Sequence, residues 1–313
     1  MLAIKTLTPK SIIFRQSIRL MGDEFEISVV GNNPAWAEDK INNAIAEINR
    51  VEKLLSTFSD DSAINEINRK AGIAPVKTNA EIFRLVDRAV QISELTHGAF
   101  DITYCAADNT PDFEDTPNKT TVKTKVSLLN YKNVALNAAA QTVFLKEKSM
   151  RIGFGACIKG YAADRAKYIL QMQGVSSGVI NAGGDLLAWG AQPDNEPWTV
   201  ATADPDQKSQ LFADVNISNM AVATSVNTQS YTAEINKKQL GAINPQKGFP
   251  VSGIKSVTIV SPTAELSDSM ATPIMMIGIN AGLYMINQLN QMACIIVDDH
   301  DRVYTSKDIS LNN

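Results

Sequence analysis

Cysteine and histidine are scarce in this sequence of 313 residues. The three cysteines, Cys105, Cys157 and Cys294, lie far apart and lack the spacing of a metal site. Their low, odd number argues against a disulfide framework and is typical of buried thiols or of a reducing compartment. The two histidines, His97 and His300, leave little basis for a histidine-rich metal centre or a serine–histidine triad.

Long apolar runs are missing as well. No run of about 18 apolar residues occurs, so no transmembrane helix is expected. The first residues, MLAIKTLTPKSIIFRQ, lack the apolar core and the cleavage site of a signal peptide. The sequence as it stands therefore predicts a soluble, cytoplasmic protein, although a chain from which a signal had been removed would show the same pattern.

The sequence also has no excess of basic residues. Its net charge of −4 gives no general attraction to nucleic acid or to an anionic membrane surface. Hydrophobic residues make up 44% of the chain and charged residues 20%, as in soluble globular proteins. A chain of this length buries a substantial core, so residues 1–313 are expected to form a single domain or two closely packed halves.

Helix and strand patterns are mixed without a regular βαβ alternation, which predicts an α+β fold. Residues 14–30 alternate and place Phe25, Ile27 and Val29 on one face, which indicates a strand whose entry Met21 and Gly22 break. Apolar spacing predicts helices over 36–55, 80–96, 161–170, 267–276 and 283–289. Further strands are predicted over 134–136, 142–145, 198–203, 212–217, 220–224, 256–260 and 293–297, and a strand–turn–strand unit over 178–190.

A glycine-rich stretch from Gly153 to Asp164 surrounds a single lysine at a predicted helix start. Glycine lets the backbone approach a ligand closely, and a helix start offers free N–H groups and partial positive charge. Lys159 adds a full positive charge, so this stretch is a candidate phosphate cradle. It departs from the P-loop pattern because no Ser or Thr follows the lysine. The alternative is a strand-to-helix turn with a solvated lysine.

Asp268 and Thr272 are four residues apart and share one face of the predicted helix 267–276. A carboxylate and a hydroxyl are hard oxygen donors that suit Mg²⁺. The alternative is that Ser267 or Asp268 caps the helix. Pro273 is expected to kink the helix because it removes a backbone hydrogen bond.

Two further features permit either a binding or a structural interpretation. The segment Asn181 to Asp185 presents its backbone to a ligand or forms a hairpin turn. Met21 and Phe58 are apolar residues beside polar segments. These two residues either line a ring-binding pocket or belong to the core.

Eight short segments occur in the order and spacing of one known family. They are Met21-Gly22, LSTFSDDSAINEIN, GAFDIT, IKGYAAD, INAGGD, AVATS, INPQKGFPVSG and SDSMAT. From about Arg19 to Thr305 the sequence resembles the ApbE family, the FAD:protein FMN transferases that were formerly described as thiamine-biosynthesis lipoproteins. The resemblance implies an ApbE-like, T-fold-like α+β domain with mixed sheets and packed helices.

The resemblance implies an enzyme that takes FAD as substrate and Mg²⁺ as cofactor, and transfers FMN to a threonine of an acceptor protein with release of AMP. It implies that Mg²⁺ is held by the backbone carbonyl of Ala156 and the side chains of Asp268 and Thr272. It implies FAD contacts at Met21, Phe58 (in place of a common Tyr), Lys159, Ser225 and the backbone of Ile243. Family members are often exported and membrane-anchored, so the resemblance leaves the compartment open.

Two glycines depart from the family pattern. Gly153 stands where many members have an aspartate that contacts FAD, and Gly241 stands where a motif usually opens with histidine. That histidine is a candidate proton acceptor or substrate-positioning group. The departures leave two alternatives open, a non-catalytic FAD-binding protein of the same fold and an FAD pyrophosphatase that gives FMN and AMP. No catalytic residue is assigned from the sequence.

Overall fold

An eight-stranded antiparallel sheet lies at the centre of the computed structural model, which describes residues 11–57, 59, 61–103, 130–155, 157–203, 211–227 and 253–307. Its spatial order is β1-β2-β6-β7-β10-β11-β12-β13. These strands are β1 Ile12–Leu20, β2 Asp23–Gly31, β6 Gly178–Ala182, β7 Asp185–Trp189, β10 Ala221–Val226, β11 Ile254–Ser261, β12 Ala293–Asp298 and β13 Val303–Thr305. Every neighbouring pair in this sheet is antiparallel.

Two smaller sheets complete the strand inventory of the described residues. One contains β3 Val76–Lys77, β4 Val134–Asn137 and β5 Thr142–Leu145 in the order β3-β5-β4. The other is a hairpin of β8 Thr199–Ala203 and β9 Leu211–Asn216. The predicted hairpin over 134–145 is confirmed, with Val134 opposite Leu145.

Six α-helices occur in the described ranges. They are α1 Pro34–Leu55, α2 Ala63–Arg69, α3 Ala80–Leu95, α4 Ile158–Met172, α5 Ala264–Ile277 and α6 Ile279–Ile286. Asn33, Ser62 and Asn79 begin the first three helices, because each side-chain oxygen accepts a backbone N–H from the first helical turn. None of these helices is long and apolar enough to cross a membrane.

Helices α1, α4 and α5 lie side by side on one face of the large sheet. Helix α1 contacts β1 and β2, α4 contacts β6, and α5 contacts β10 and β11, so the three helices cover the sheet along its width. Their apolar faces bury against Phe25, Ile180 and Ile259 in the main core. On the opposite face of the sheet, Ala188, Val222 and Val260 belong to a smaller cluster that Trp198 and Met220 partly cover. The α+β prediction is confirmed, and the packing places the N-terminus of α4 beside α5.

The structure corrects the sequence prediction in two places. Residues 14–30 form a hairpin, because Met21 and Gly22 make a two-residue turn with φ values of 52° and 79°. Helix α5 starts at Ala264, three residues before its predicted start, and Thr263 is its N-cap. Ser267 and Asp268 therefore do not cap the helix, and the helix continues through Pro273 to Ile277.

Candidate functional site

Two glycine-containing turns lie next to each other at one end of the large sheet. The Met21–Gly22 turn joins β1 to β2, and the Gly183–Gly184 turn joins β6 to β7. Because β2 pairs with β6, the N–H of Gly183 donates to the carbonyl of Glu24 at 2.9 Å. The segment 181–185 is thus a hairpin turn, and its position beside Met21 brings two of the predicted segments together. Met21 is partly buried and packs against the main core.

Lys159 lies in the first turn of α4 and points toward these two turns. Its Nζ is 3.0 Å from Oδ2 of Asp23, the first residue of β2. Partial burial opposes the lysine charge, but the hydrogen bond to Asp23 and the charges of Asp23, Asp185 and Asp268 together raise the pKa of Lys159. The ammonium is therefore fully charged at neutral pH, as a phosphate contact requires.

Asp268 faces the start of α4 from α5. Its Oδ2 accepts the backbone N–H of Gly160 at 3.3 Å, so one free donor of the α4 N-terminus is used by this carboxylate. Burial and the nearby charge of Asp185 raise the pKa of Asp268 to about 7, against the opposing effects of Gly160 and Lys159. Few neighbouring groups offset the cost of burying this negative charge, so the Asp268 carboxylate is a suitable ligand for a cation.

Thr272 lies one turn after Asp268 on the same face of α5. Its Oγ1 is 2.7 Å from Oγ of Ser225, which lies near the end of β10. The structure thus brings Asp268, Thr272, Ser225 and Lys159 to one region between α4, α5 and the sheet. Ser225 and Thr272 are both partly exposed, so their hydroxyls are accessible to a ligand.

Asp185 is a site residue that the sequence reasoning did not select. Burial raises the pKa of its carboxyl to about 6, although the Lys159 charge and a hydrogen bond from the Thr224 backbone lower it. Asp185 is the last residue of the INAGGD segment, so its carboxylate could have marked it in the sequence as a candidate binding residue. Asp23 was missed as well, although it directly follows Met21 and Gly22.

Several predicted positions lie outside the described residues. These are Phe58, Ala156, Gly241 and Ile243. The residues on either side of position 58 are described, and Asn65 contacts both of them. Its side-chain amide donates to the carbonyls of Thr57 at 2.9 Å and Ser59 at 2.8 Å. Gly153 is described, and its N–H donates to the carbonyl of Ile102 at 3.1 Å.

The predicted magnesium ligands fit a hard cation by their chemistry. Asp268 supplies a partly buried carboxylate and Thr272 a hydroxyl on the same helix face, and Mg²⁺ is normally bound by one or two such ligands with water and substrate oxygens. Within the described ranges, no three His, Cys, Asp or Glu side chains are grouped so that they could hold a metal. A set of one carboxylate, one hydroxyl and one carbonyl does not need such a group.

A family model described as the ApbE family matches residues 21–296. The chain belongs to the ApbE family. The match spans β2 to β12 and includes every site residue described above, so membership covers the whole site.

The relatives with curated names that this chain resembles include two bacterial FAD:protein FMN transferases. An FAD:protein FMN transferase of Klebsiella pneumoniae is 26% identical over 291 residues, which cover 90% of this chain and 83% of that protein. An FAD:protein FMN transferase of Salmonella typhimurium is 27% identical over 270 residues, covering 83% of this chain and 77% of that protein.

Solved structures support the ApbE fold. The flavin transferase ApbE from Vibrio cholerae superposes with a TM-score of 0.83 at 20% identity and covers 95% of this chain and 98% of its own. The Pseudomonas stutzeri flavinyl transferase ApbE has a TM-score of 0.80 at 23% identity, with 95% and 96% coverage. At these identities the likeness establishes the fold, which is the expected ApbE-like α+β architecture.

Proposed function

We propose that the protein is a Mg²⁺-dependent FAD:protein FMN transferase that modifies a threonine of an acceptor protein. The observation that carries this proposal is the bond from the Gly160 N–H to Asp268, because it joins a lysine-bearing helix start to a carboxylate–hydroxyl pair on α5. Relatives that cover at least four-fifths of this chain are named FAD:protein FMN transferases, which supports the same reaction.

The proposed reaction replaces the phosphoanhydride bond of FAD by a phosphoester bond to the acceptor threonine. The threonine Oγ of the acceptor forms a bond to the FMN phosphorus, and the bond from that phosphorus to the bridging oxygen of FAD breaks. AMP leaves with the bridging oxygen, and the threonine hydroxyl proton goes to solvent or to a nearby base. Such phosphoryl transfers depend mostly on positioning and on neutralising phosphate charge.

The described residues supply positioning and charge for this reaction. We assign Lys159 to the pyrophosphate, since it carries a full positive charge at a helix N-terminus. We assign Asp268 and Thr272, with the Ala156 carbonyl, to Mg²⁺, which when bound polarises a phosphoryl oxygen. Ser225, beside Thr272, and the backbone of Ile243 are assigned to FAD.

The flavin ring requires an apolar enclosure remote from the phosphates. We assign Met21 and Phe58 to this enclosure. Met21 lies on the turn that immediately precedes Asp23, and Asn65 fixes the carbonyls on either side of position 58. Contacts with the flavin ring would therefore contribute binding energy that holds the phosphates beside the charged groups.

The test is incubation of the protein with FAD, Mg²⁺ and a threonine-bearing acceptor peptide, followed by peptide mass and AMP measurement. A mass increase of one FMN with equimolar AMP is the expected result, and a peptide with valine in place of threonine is the matched control. AMP with free FMN and unmodified peptide would identify a pyrophosphatase instead. Bound, unchanged FAD would identify a non-catalytic flavin-binding protein.

A further inference from the structure

Lys159 is surrounded by more negative charge than it can neutralise. Asp23 forms an ion pair with it at 3.0 Å, and the charges of Asp185 and Asp268 also act on it. With all four groups ionised, one positive and three negative charges leave a net charge of −2 in this region. The ion pair of Lys159 and Asp23 taken by itself is neutral, so an incoming anion does not meet a net positive charge at these two side chains.

The position of Asp23 is determined by the two turns. Asp23 closes the β1–β2 hairpin opposite Leu20, directly after Met21 and Gly22. A Cβ at Gly183 would lie 2.9 Å from Cγ of Asp23, so the glycine leaves room for this carboxylate. The Asp23 side chain is 48% exposed and that of Lys159 is 27% exposed, so a ligand from solvent reaches both.

We propose that Asp23 is a specificity-determining residue that makes binding of a pyrophosphate at Lys159 dependent on a divalent cation. This inference rests on the proposed function. In the unloaded protein Asp23 neutralises the charge of Lys159. A metal-free dinucleotide therefore gains little binding energy from Lys159, and the nearby carboxylates repel its phosphates. A cation bound with the dinucleotide supplies the missing positive charge. The two ligands are then positively coupled, and Asp23 contributes to the coupling free energy.

A different role for Asp23 would be to orient Lys159 toward the phosphates. The two roles predict opposite effects of Asp23→Asn, which keeps the side-chain shape and removes the charge. If Asp23 orients the lysine, the substitution weakens FAD binding. If Asp23 competes with the phosphates, the substitution strengthens FAD binding, most of all without metal.

The experiment measures the dissociation constants of FAD and riboflavin by flavin fluorescence, each in EDTA and in saturating Mg²⁺. For Asp23→Asn we expect metal-free FAD to bind about threefold to tenfold more tightly, as befits one unit charge acting through largely screened surroundings. FAD with Mg²⁺ should change less, and riboflavin, which has no phosphate, should not change. Glu26→Gln is the matched control, since it removes the same charge from the same strand at a residue that pairs with Arg15.

Each other outcome is decisive. Unchanged or weaker metal-free FAD binding in Asp23→Asn would overturn the inference, and so would an equal gain for riboflavin or for Glu26→Gln. A wild-type protein that binds no FAD even with Mg²⁺ would instead overturn the proposed function. Chemical denaturation of both variants confirms that they are folded under the binding conditions.

Discussion

Asp268 is the only charged side chain among the assigned metal ligands, so its removal should have the largest effect on the metal. In Asp268→Asn the amide keeps the hydrogen bond from Gly160 but loses the charge that attracts Mg²⁺. We expect Mg²⁺ binding to the FAD-loaded protein to become undetectable by calorimetry. Glu265→Gln is the control, because it removes a carboxylate from the same helix where that group pairs with Arg88 at 2.8 Å. An unchanged Mg²⁺ affinity in Asp268→Asn would refute the ligand assignment.

Lys159 is assigned to the pyrophosphate, so its effect should depend on the phosphates of the ligand. In saturating Mg²⁺, Lys159→Ala should weaken FAD binding by about tenfold or more while leaving riboflavin binding nearly unchanged, because a charge-assisted contact is typically worth about 1.5–3 kcal/mol. Equilibrium dialysis of both flavins provides the measurement. Lys167→Ala, two turns further along the same helix, controls for the loss of one lysine. Equal weakening of both flavins would indicate a folding effect and would contradict the assignment.

At the scale of elements, the site depends on how closely α4 and α5 approach each other. Gly160 is the contact point, because a Cβ there would lie 2.6 Å from the Ala264 carbonyl carbon and 2.8 Å from the Glu265 nitrogen. Gly160→Ala should force the helices apart and lower the free energy of unfolding by about 1–3 kcal/mol, as overpacking does. Urea denaturation measures the change.

The matched control for this prediction is Gly155→Ala. A Cβ at Gly155 meets nothing within 4 Å and the backbone there is not left-handed, so we expect little change in stability. If Gly160→Ala were as stable as Gly155→Ala, the prediction would be wrong, because the space between α4 and α5 would then accommodate a Cβ. In addition, Gly160→Ala should weaken Mg²⁺ binding, because the displaced helix carries Asp268.

A second contact between these helices is sensitive to pH. The carboxylate of Asp164 on α4 accepts the backbone N–H groups of Ala264 and Glu265 at 2.9 Å each, at the start of α5. Burial raises the pKa of Asp164 from 3.8 to about 6 in spite of these two bonds. The folded protein therefore retains this proton at pH values where the unfolded chain has lost it.

The sign of the pH effect follows from this raised pKa. The stabilisation associated with protonated Asp164 is present below pH 3.8 and is lost as the pH rises through about 6. Asp164→Asn mimics the protonated form and does not titrate. Relative to that variant, the wild-type free energy of unfolding should fall by about 2–3 kcal/mol from pH 4 to pH 7. Parallel pH curves for the two proteins would contradict the prediction.

At the scale of the whole molecule, the large sheet joins both ends of the described chain. Strands β1 and β13 belong to the same sheet, and the main core extends from Leu20 to Ile296. We therefore expect a single cooperative unfolding transition rather than two separate halves. Calorimetric and van't Hoff enthalpies should agree, and circular dichroism should coincide with tryptophan fluorescence from Trp36 on α1 and Trp189 on β7. Two resolved transitions would indicate two domains.

Local sequence patterns predicted most elements and several residues of the candidate site. Helix α1 was predictable from its helical apolar spacing and strand β12 from its short continuous apolar run, because both are local properties of the chain. The turn over 178–190 was predictable because adjacent glycines permit positive φ. The pair Asp268 and Thr272 was recognisable from helical spacing alone, and the resemblance of eight segments indicated the family that the comparisons confirm.

Local patterns were insufficient where burial or turn geometry overrides periodicity. The alternation of residues 14–30 continues across the Met21–Gly22 turn, so it does not separate one long strand from a hairpin. The start of α5 was missed because Thr263 and Ser267 are both residue types that favour a helix N-cap, and the local sequence does not show which of them caps the helix. In the structure Ser267 is buried inside the helix, where its hydroxyl oxygen lies 2.7 Å from that of Ser261.

Which charged groups come into contact depends on the tertiary packing. Asp23 and Lys159 are 136 residues apart in the sequence, and Gly160 and Asp268 are 108 residues apart. They come together because β2 pairs with β6 and because α4 packs between α1 and α5, and neither arrangement is encoded in a local period. Strand order and helix packing result from the burial of the whole core, so the ion pair of Asp23 with Lys159 and the environment of Asp185 were decided by the fold and not by any single segment.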